Sequence, residues 1–195
     1  MTSRWFHRFA CLLVAATFLL ILAGASVTSH RAGLSVPDWP ETYSQPMWRF
    51  PLKFMRGGIF YEHTHRLIAS AVGLLTTALA LWAFFGQRDP VIRRLSLAAL
   101  ATVLLQGFLG GLTVRFLLPP PVSIAHAALA QTFFCITIAL ALAGVRSPVR
   151  PADAPTGVGL AMTAAVFLQL ILGAAIRHSE RGVIAHIAGA AAVLM

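Results

Sequence analysis

Three of the seven histidines in this 195-residue sequence, His65, His126 and His186, share a setting. Each stands near the start of an uncharged apolar run, and His126 and His186 both close an Ile-Ala-His tripeptide, at 124–126 and 184–186. Beside the first lies Glu62, three residues before His65 and four before Arg66, so on a helix the carboxylate shares a face with both. An imidazole in apolar surroundings must be hydrogen-bonded or coordinated. A carboxylate next to it can accept a proton or stabilise charge, whereas paired with Arg66 alone it is a helix-face ion pair of slight energetic value. His63, in the same "YEHTHR" cluster, points about 200° away from His65 on a helix and is expected at the surface.

The elements that must position these groups follow from composition. Hydrophobic residues make up 58% of the chain and charged residues 11%, with a mean hydropathy of +0.79. A soluble domain carries about 25% charged residues. Windows free of Asp, Glu, Lys and Arg cover 9–30, 67–87, 95–114, 116–145 and 154–176. Each is long enough for a helix to cross a hydrocarbon core of about 30 Å, and lipid offers backbone groups no other partner. The fold class is therefore all-α, a polytopic transmembrane bundle of about six helices with the lipid bilayer as its surroundings. The sixth apolar stretch, 182–195, has 14 residues and reaches about 21 Å. The chain is thus expected to stop inside a span, as a fragment of a longer protein.

Other features are simpler. The +9 net charge is spread over span ends with no basic run, so nucleic acid is not an expected partner. Cys11 and Cys135 have neither metal nor disulfide spacing and are expected to fill the core. The first apolar segment exceeds a signal-peptide core and is expected to remain as a helix.

With the N-terminus inside, seven basic residues fall on the inner side and eight on the outer, a balance the positive-inside rule does not decide. The one long outer loop, within 29–63, is rich in Pro, Trp and Phe. It fits an interfacial aromatic belt and a lid over a site equally well. "LQGFLGGLTVR" at 105–115 is echoed by "LQLILGAAIR" at 168–177, each followed by a short turn and Ile-Ala-His. That repeat divides the chain into a four-helix half, 1–146, and the first part of a second, pseudo-symmetric half, 147–195, with its last helix truncated.

In either membrane orientation the threading brings His65, His126 and His186 into the first turns of helices 2, 4 and 6, at similar depth. An interhelical hydrogen bond, about 0.6 kcal/mol on average, explains one such histidine better than three. Zinc sites draw three or four closely spaced ligands, which are missing here. Two neutral imidazoles from facing helices suit haem iron, with the macrocycle among apolar and small side chains. Haem propionates need cations, and Arg66, Arg115, Arg177 and Arg181 stand on the same side. Taken singly, each arginine also suits snorkelling or lipid-phosphate contact.

With "GLSVPDWPETY", E-x-x-H-R at Glu62–Arg66, "LQGFLGGLTVR" and "HAALAQ" at 126–131, the chain resembles the haem A synthases, most closely over residues 30–135. The resemblance implies two pseudo-symmetric four-helix halves in the cell (inner or plasma) membrane. It implies conversion of the C8 methyl of haem O to the formyl of haem A for terminal oxidases. On that pattern His65 and His126 are the pair facing substrate haem, and Glu62 assists oxidation. His186 is similar to the first ligand of the haem b cofactor. Haem O synthase, oxidase-assembly factors and a second copy of the chain are partners of the kind implied. Val36 and Thr42 replace a cysteine pair that flanks PDWP in some members, and the second C-terminal histidine lies beyond this sequence. A non-catalytic haem carrier or assembly factor remains open. A b-type electron-transfer cytochrome fits less well, because all three candidate ligands lie on one side.

Overall fold

A computed structural model describes residues 4–145, 156–179 and 182–194. Six α-helices occur among them: α1 (Arg4–Ser29), α2 (Gly58–Gly86), α3 (Pro90–Arg115), α4 (Pro120–Ala143), α5 (Thr156–Ser179) and α6 (Val183–Leu194). The first four and the Gly159–His178 part of α5 are long and apolar enough to cross a membrane, so the protein is a multi-pass helical bundle. α6, with 12 residues, spans about 18 Å.

Neighbouring helices pack as α1 on α2, α2 on α3, α3 on α4 and α4 back on α1, closing a four-helix ring. α5 packs on α4 and α6 on α5. α2 and α4 therefore occupy one diagonal of the ring. Phe6, Leu13, Leu79, Ile92, Leu140, Val72 and Phe133 form its buried core, with Phe6 and Phe9 set edge-on to Trp82. Lipid resembles these side chains too closely to drive helices together hydrophobically, so close packing has to do so. Large apolar residues such as Leu74, Phe85 and Leu104 point outward. So do Cys11 and Cys135, which are exposed rather than core-filling: a thiol is apolar enough to face lipid as readily as a core.

The connections explain the helix limits. The 87–89 turn between α2 and α3 ends at Asp89, whose side chain accepts from the Val91 N–H at 2.8 Å, with Pro90 at the first helical position. α2 and α6 are each entered through a glycine with positive φ, Gly57 at 55° and Gly182 at 92°, a conformation costly for other residues.

α2 begins at Gly58 rather than near residue 64, so Glu62 and His63 are inside the helix, not in the loop. The loop shrinks to residues 30–57 and carries two single 3-10 turns, Met47–Arg49 and Leu52–Phe54. It folds across the ends of α2 and α3, while Trp48 and Leu52 remain 80% and 79% exposed.

Candidate functional site

Each site histidine is seated on a glycine of the preceding helix. A Cβ built on Gly24 of α1 would meet His65 Cε1 at 3.1 Å. On Gly110 of α3 it would meet His126 Cε1 at 3.4 Å, and on Gly173 of α5 it would meet His186 Cε1 at 3.4 Å. Alternating helix direction places all three seats at the end that bears the 30–57 loop. The tandem echo noted in the sequence is thus a three-dimensional unit. It also has a copy in α1–α2 that the letters conceal, because "LLILAG" at 19–24 keeps only the first leucine and the glycine.

The second and third units share more. Gln106 Nε2 donates to the backbone oxygen of His126 at 3.1 Å, and Gln169 Nε2 donates to that of His186 at 3.1 Å. Leu20 holds the corresponding position in α1, four residues before Gly24, and its backbone lies beside the His65 ring. His126 is within electrostatic reach of His65, and His178 of α5 is within reach of His126. His186 stands on α6, whose packing neighbour is α5.

Glu62 and Arg66 grip the loop. Arg66 Nη2 donates to Glu62 Oε1 at 2.6 Å and to the Val36 carbonyl at 2.9 Å. Its Nη1 donates to the carbonyls of Asp38 at 2.6 Å and Glu41 at 3.0 Å. Glu62 Oε2 accepts the Val36 N–H at 2.8 Å. Both side chains are buried, 3% and 8% exposed. Removing one member of a buried pair of this kind costs about 3–5 kcal/mol, because the other is left uncompensated.

His63 is 1% exposed, which overturns its expected surface position. Its Nδ1 lies 3.0 Å from Thr42 Oγ1, and Phe50 packs on its ring at 5.0 Å between centroids. A helical wheel places it correctly, away from His65; the loop then covers that face. Asp38 shapes the same loop by accepting the N–H groups of Tyr43 at 2.9 Å and Ser44 at 2.6 Å. Partial burial opposes its charge, but those N–H groups and the Arg66 guanidinium outweigh burial and hold its carboxyl below the usual range.

The double glycine of "LGGLTV" separates into two functions. Gly110 seats His126, and a Cβ on Gly111 would come within 2.6 Å of the Trp39 ring. The PDWP and LGG motifs therefore meet in space. Beside that contact, Pro37, Asp38, Phe108, Leu112 and Arg115 line a groove of about 300 Å³. Arg177 Nη2 donates to the Thr28 carbonyl at 2.6 Å, tying α5 to the end of α1. Arg181 lies outside the described residues.

Haem ligation by these histidines can be tested on their own atoms. The Nδ1 atoms of His65, His126 and His186 are buried without hydrogen-bond partners, an expensive condition for a structural imidazole. Among the described residues no cluster of three or more His, Cys, Asp and Glu could hold a bare ion. Paired imidazoles on diagonal helices fit a planar iron macrocycle, which needs only two protein ligands.

The profile of the cytochrome oxidase assembly protein family (COX15-CtaA) matches residues 41–192. The chain belongs to that family. A curated relative, "Heme A synthase" of Beijerinckia indica subsp. indica, is 28% identical over 207 residues. The match covers 87% of this chain and 57% of the relative, so the chain spans little more than half that protein's length. No solved structure matches. Residues 41–192 include every candidate histidine, Glu62 and the four candidate arginines.

Gln106, Gln169, Trp39 and His178 were missed by sequence reasoning. The two glutamines were visible inside the repeat, since both motifs begin Leu-Gln. Trp39 stood inside the PDWP motif, but its contact with Gly111, like the reach of His178 to His126, joins distant segments and left no local signal.

Proposed function

We propose that this protein acts in haem A biosynthesis as a membrane oxidoreductase on haem O, converting its C8 methyl to a formyl group for a terminal oxidase in the cell membrane. The observation that carries this reading is the set of histidines at one depth, each seated on a glycine with a buried, unpartnered Nδ1. Family membership supplies the class of substrate.

In this reading His65 and His126 ligate the iron of substrate haem from diagonal helices and fix the orientation of its edge. His186 serves as one ligand of a haem b cofactor, which when bound supplies electron transfer. Methyl-to-formyl conversion adds one oxygen to the carbon and, with water as its source, releases electrons to an external oxidant and protons that a base near the substrate edge would take up. Glu62 is the carboxylate nearest His65 in sequence and is assigned that role. Arg115 and Arg177, with Arg181, are assigned to the propionates; Arg66 serves them only by surrendering loop carbonyls.

One observation favours the alternative, a haem carrier or assembly factor without oxidation. Both Glu62 oxygens are engaged, by Arg66 and by the Val36 N–H, as in a loop anchor rather than a free base. Glu62→Gln separates the readings, because its single amide oxygen keeps one of the two acceptor contacts, from Arg66 or from the Val36 N–H, while the amide cannot take a proton at neutral pH. The enzyme reading expects haem bound at wild-type levels and haem A formation reduced by about 100-fold or more. Normal haem A accumulation in cells carrying Glu62→Gln would remove Glu62 from the chemistry.

A further inference from the structure

Helical hydroxyls in this protein commonly turn back to the preceding turn of their own helix. Ser26 donates to the Leu22 carbonyl at 3.0 Å, Ser70 to that of Arg66 at 2.9 Å and Thr132 to that of Ala128 at 3.1 Å. Ser123 departs from this habit. Pro119, four residues back, accepts its N–H at 3.0 Å but not its hydroxyl. The residue is 4% exposed and its Oγ is buried without a partner, a condition that calls for an explanation in a folded protein. Thr64 and Ser96 also lack partners. Ser96 lies in the second turn of α3, at the opposite end of the bundle, and Thr64 is turned about 100° from His65.

The place of Ser123 gives its hydroxyl a task. It precedes His126 by three residues, so both lie on one face of α4. Ser123 is about 4.5 Å nearer the end that bears the 30–57 loop. α4 opens with Pro119, Pro120 and Pro121, and no side chain caps it. Proline brings no N–H, so the backbone donors that an anion ordinarily finds at a helix N-terminus are reduced. The hydroxyl remains in that turn as a donor without an acceptor. Across the 116–119 turn, Arg115 closes α3. Resting on the haem-binding reading above, we propose that Ser123 donates its hydroxyl to a propionate carboxylate of the macrocycle ligated by His126, on the edge assigned to Arg115. The exposed arginine supplies charge at the rim. The buried serine supplies direction, and so fixes which edge of the macrocycle faces the loop end of the bundle.

The test uses the full chain, freed of haem in detergent and titrated with ferric protohaem and with protohaem dimethyl ester, whose carboxylates are blocked. The unmodified chain is expected to bind the free acid more tightly than the ester. Ser123→Ala is expected to lose about 10-fold in affinity for the acid and to keep its affinity for the ester. Without haem, Ser123→Ala should unfold at the same temperature as the unmodified chain or higher, because it deletes an unsatisfied hydroxyl. Equal losses with the two probes, or none with either, overturn the inference while haem binding stands. A lower unfolding temperature for the haem-free variant also overturns it, since the hydroxyl would then be bonded within the fold. Failure of the unmodified chain to bind either probe would instead sink the haem reading, and this inference with it.

Discussion

The α1–α2 and α3–α4 units hold their histidines in the same way and support them differently. Both lay the imidazole over a glycine, Gly24 under His65 and Gly110 under His126. The α3–α4 unit adds a glutamine and seats Trp39 on the adjacent Gly111. The α1–α2 unit has an apolar Leu20 instead, and its polar groups, Glu62 and Arg66, turn outward to the loop. One hairpin spends its polarity on a ring, the other on a cover. On the proposed reading, a ligand would be held from one side by the helices and from the other by the anchored loop.

The sharpest way to break that comparison is to remove the anchor. Arg66→Ala leaves Glu62 buried without its partner and frees three loop carbonyls, so a loss of about 3–5 kcal/mol is expected. Arg115→Ala, at an exposed position on α3, is expected to change stability by less than about 0.5 kcal/mol. Thermal unfolding in detergent, with limited proteolysis of the 30–57 loop, compares the two; equal effects would mean that the loop is not held by this pair.

A smaller effect separates the two seats. An added methyl on Gly24 comes within 3.1 Å of the His65 ring, against 3.4 Å for Gly110 and His126. Gly24→Ala is expected to cost about 1–3 kcal/mol through overpacking and to alter the absorption spectrum of bound haem. Gly110→Ala should be close to neutral, its contact offset by a helix-propensity gain of up to about 1 kcal/mol. If Gly110→Ala proves the more damaging, the equivalence of the two seats fails.

The smallest effect concerns pH. The Asp38 carboxyl titrates below its ordinary range, so its contribution to the loop is complete above about pH 4, the unfolded value, and fades as pH falls through the lower folded value. Loop cleavage by an acid protease should rise over that interval in the wild type. In Asp38→Asn the step should be absent; an unchanged step would assign it to another group.

Much of this arrangement was legible in residue types. Charge-free windows identified the spans, and the alternating directions of α2, α4 and α6 put the three histidines at one end. The Leu-Gln repeat marked two of the three units. Contacts made at long range were not legible. The pairing of Arg66 with Glu62 was visible at four-residue spacing, but its hold on the carbonyls of Val36, Asp38 and Glu41 depends on a loop whose path no periodicity encodes. His63 was misplaced for the same reason. Cys11 and Cys135 were misplaced because, in lipid, apolar character no longer distinguishes inside from outside.

The pair Gly110–Gly111 shows how little mutational room the site has. Neighbouring residues on a helix face directions about 100° apart, so these two positions serve separate clients, an imidazole and an indole. A methyl at Gly110 would only touch the imidazole, at 3.4 Å, whereas one at Gly111 would press 2.6 Å from the indole and lift the loop. Inserting one residue before them would bring Gly110 under the indole and leave the imidazole on a different residue. Evolution can vary the greasy flanks of α3 freely, yet across these two codons the helix has no spare side.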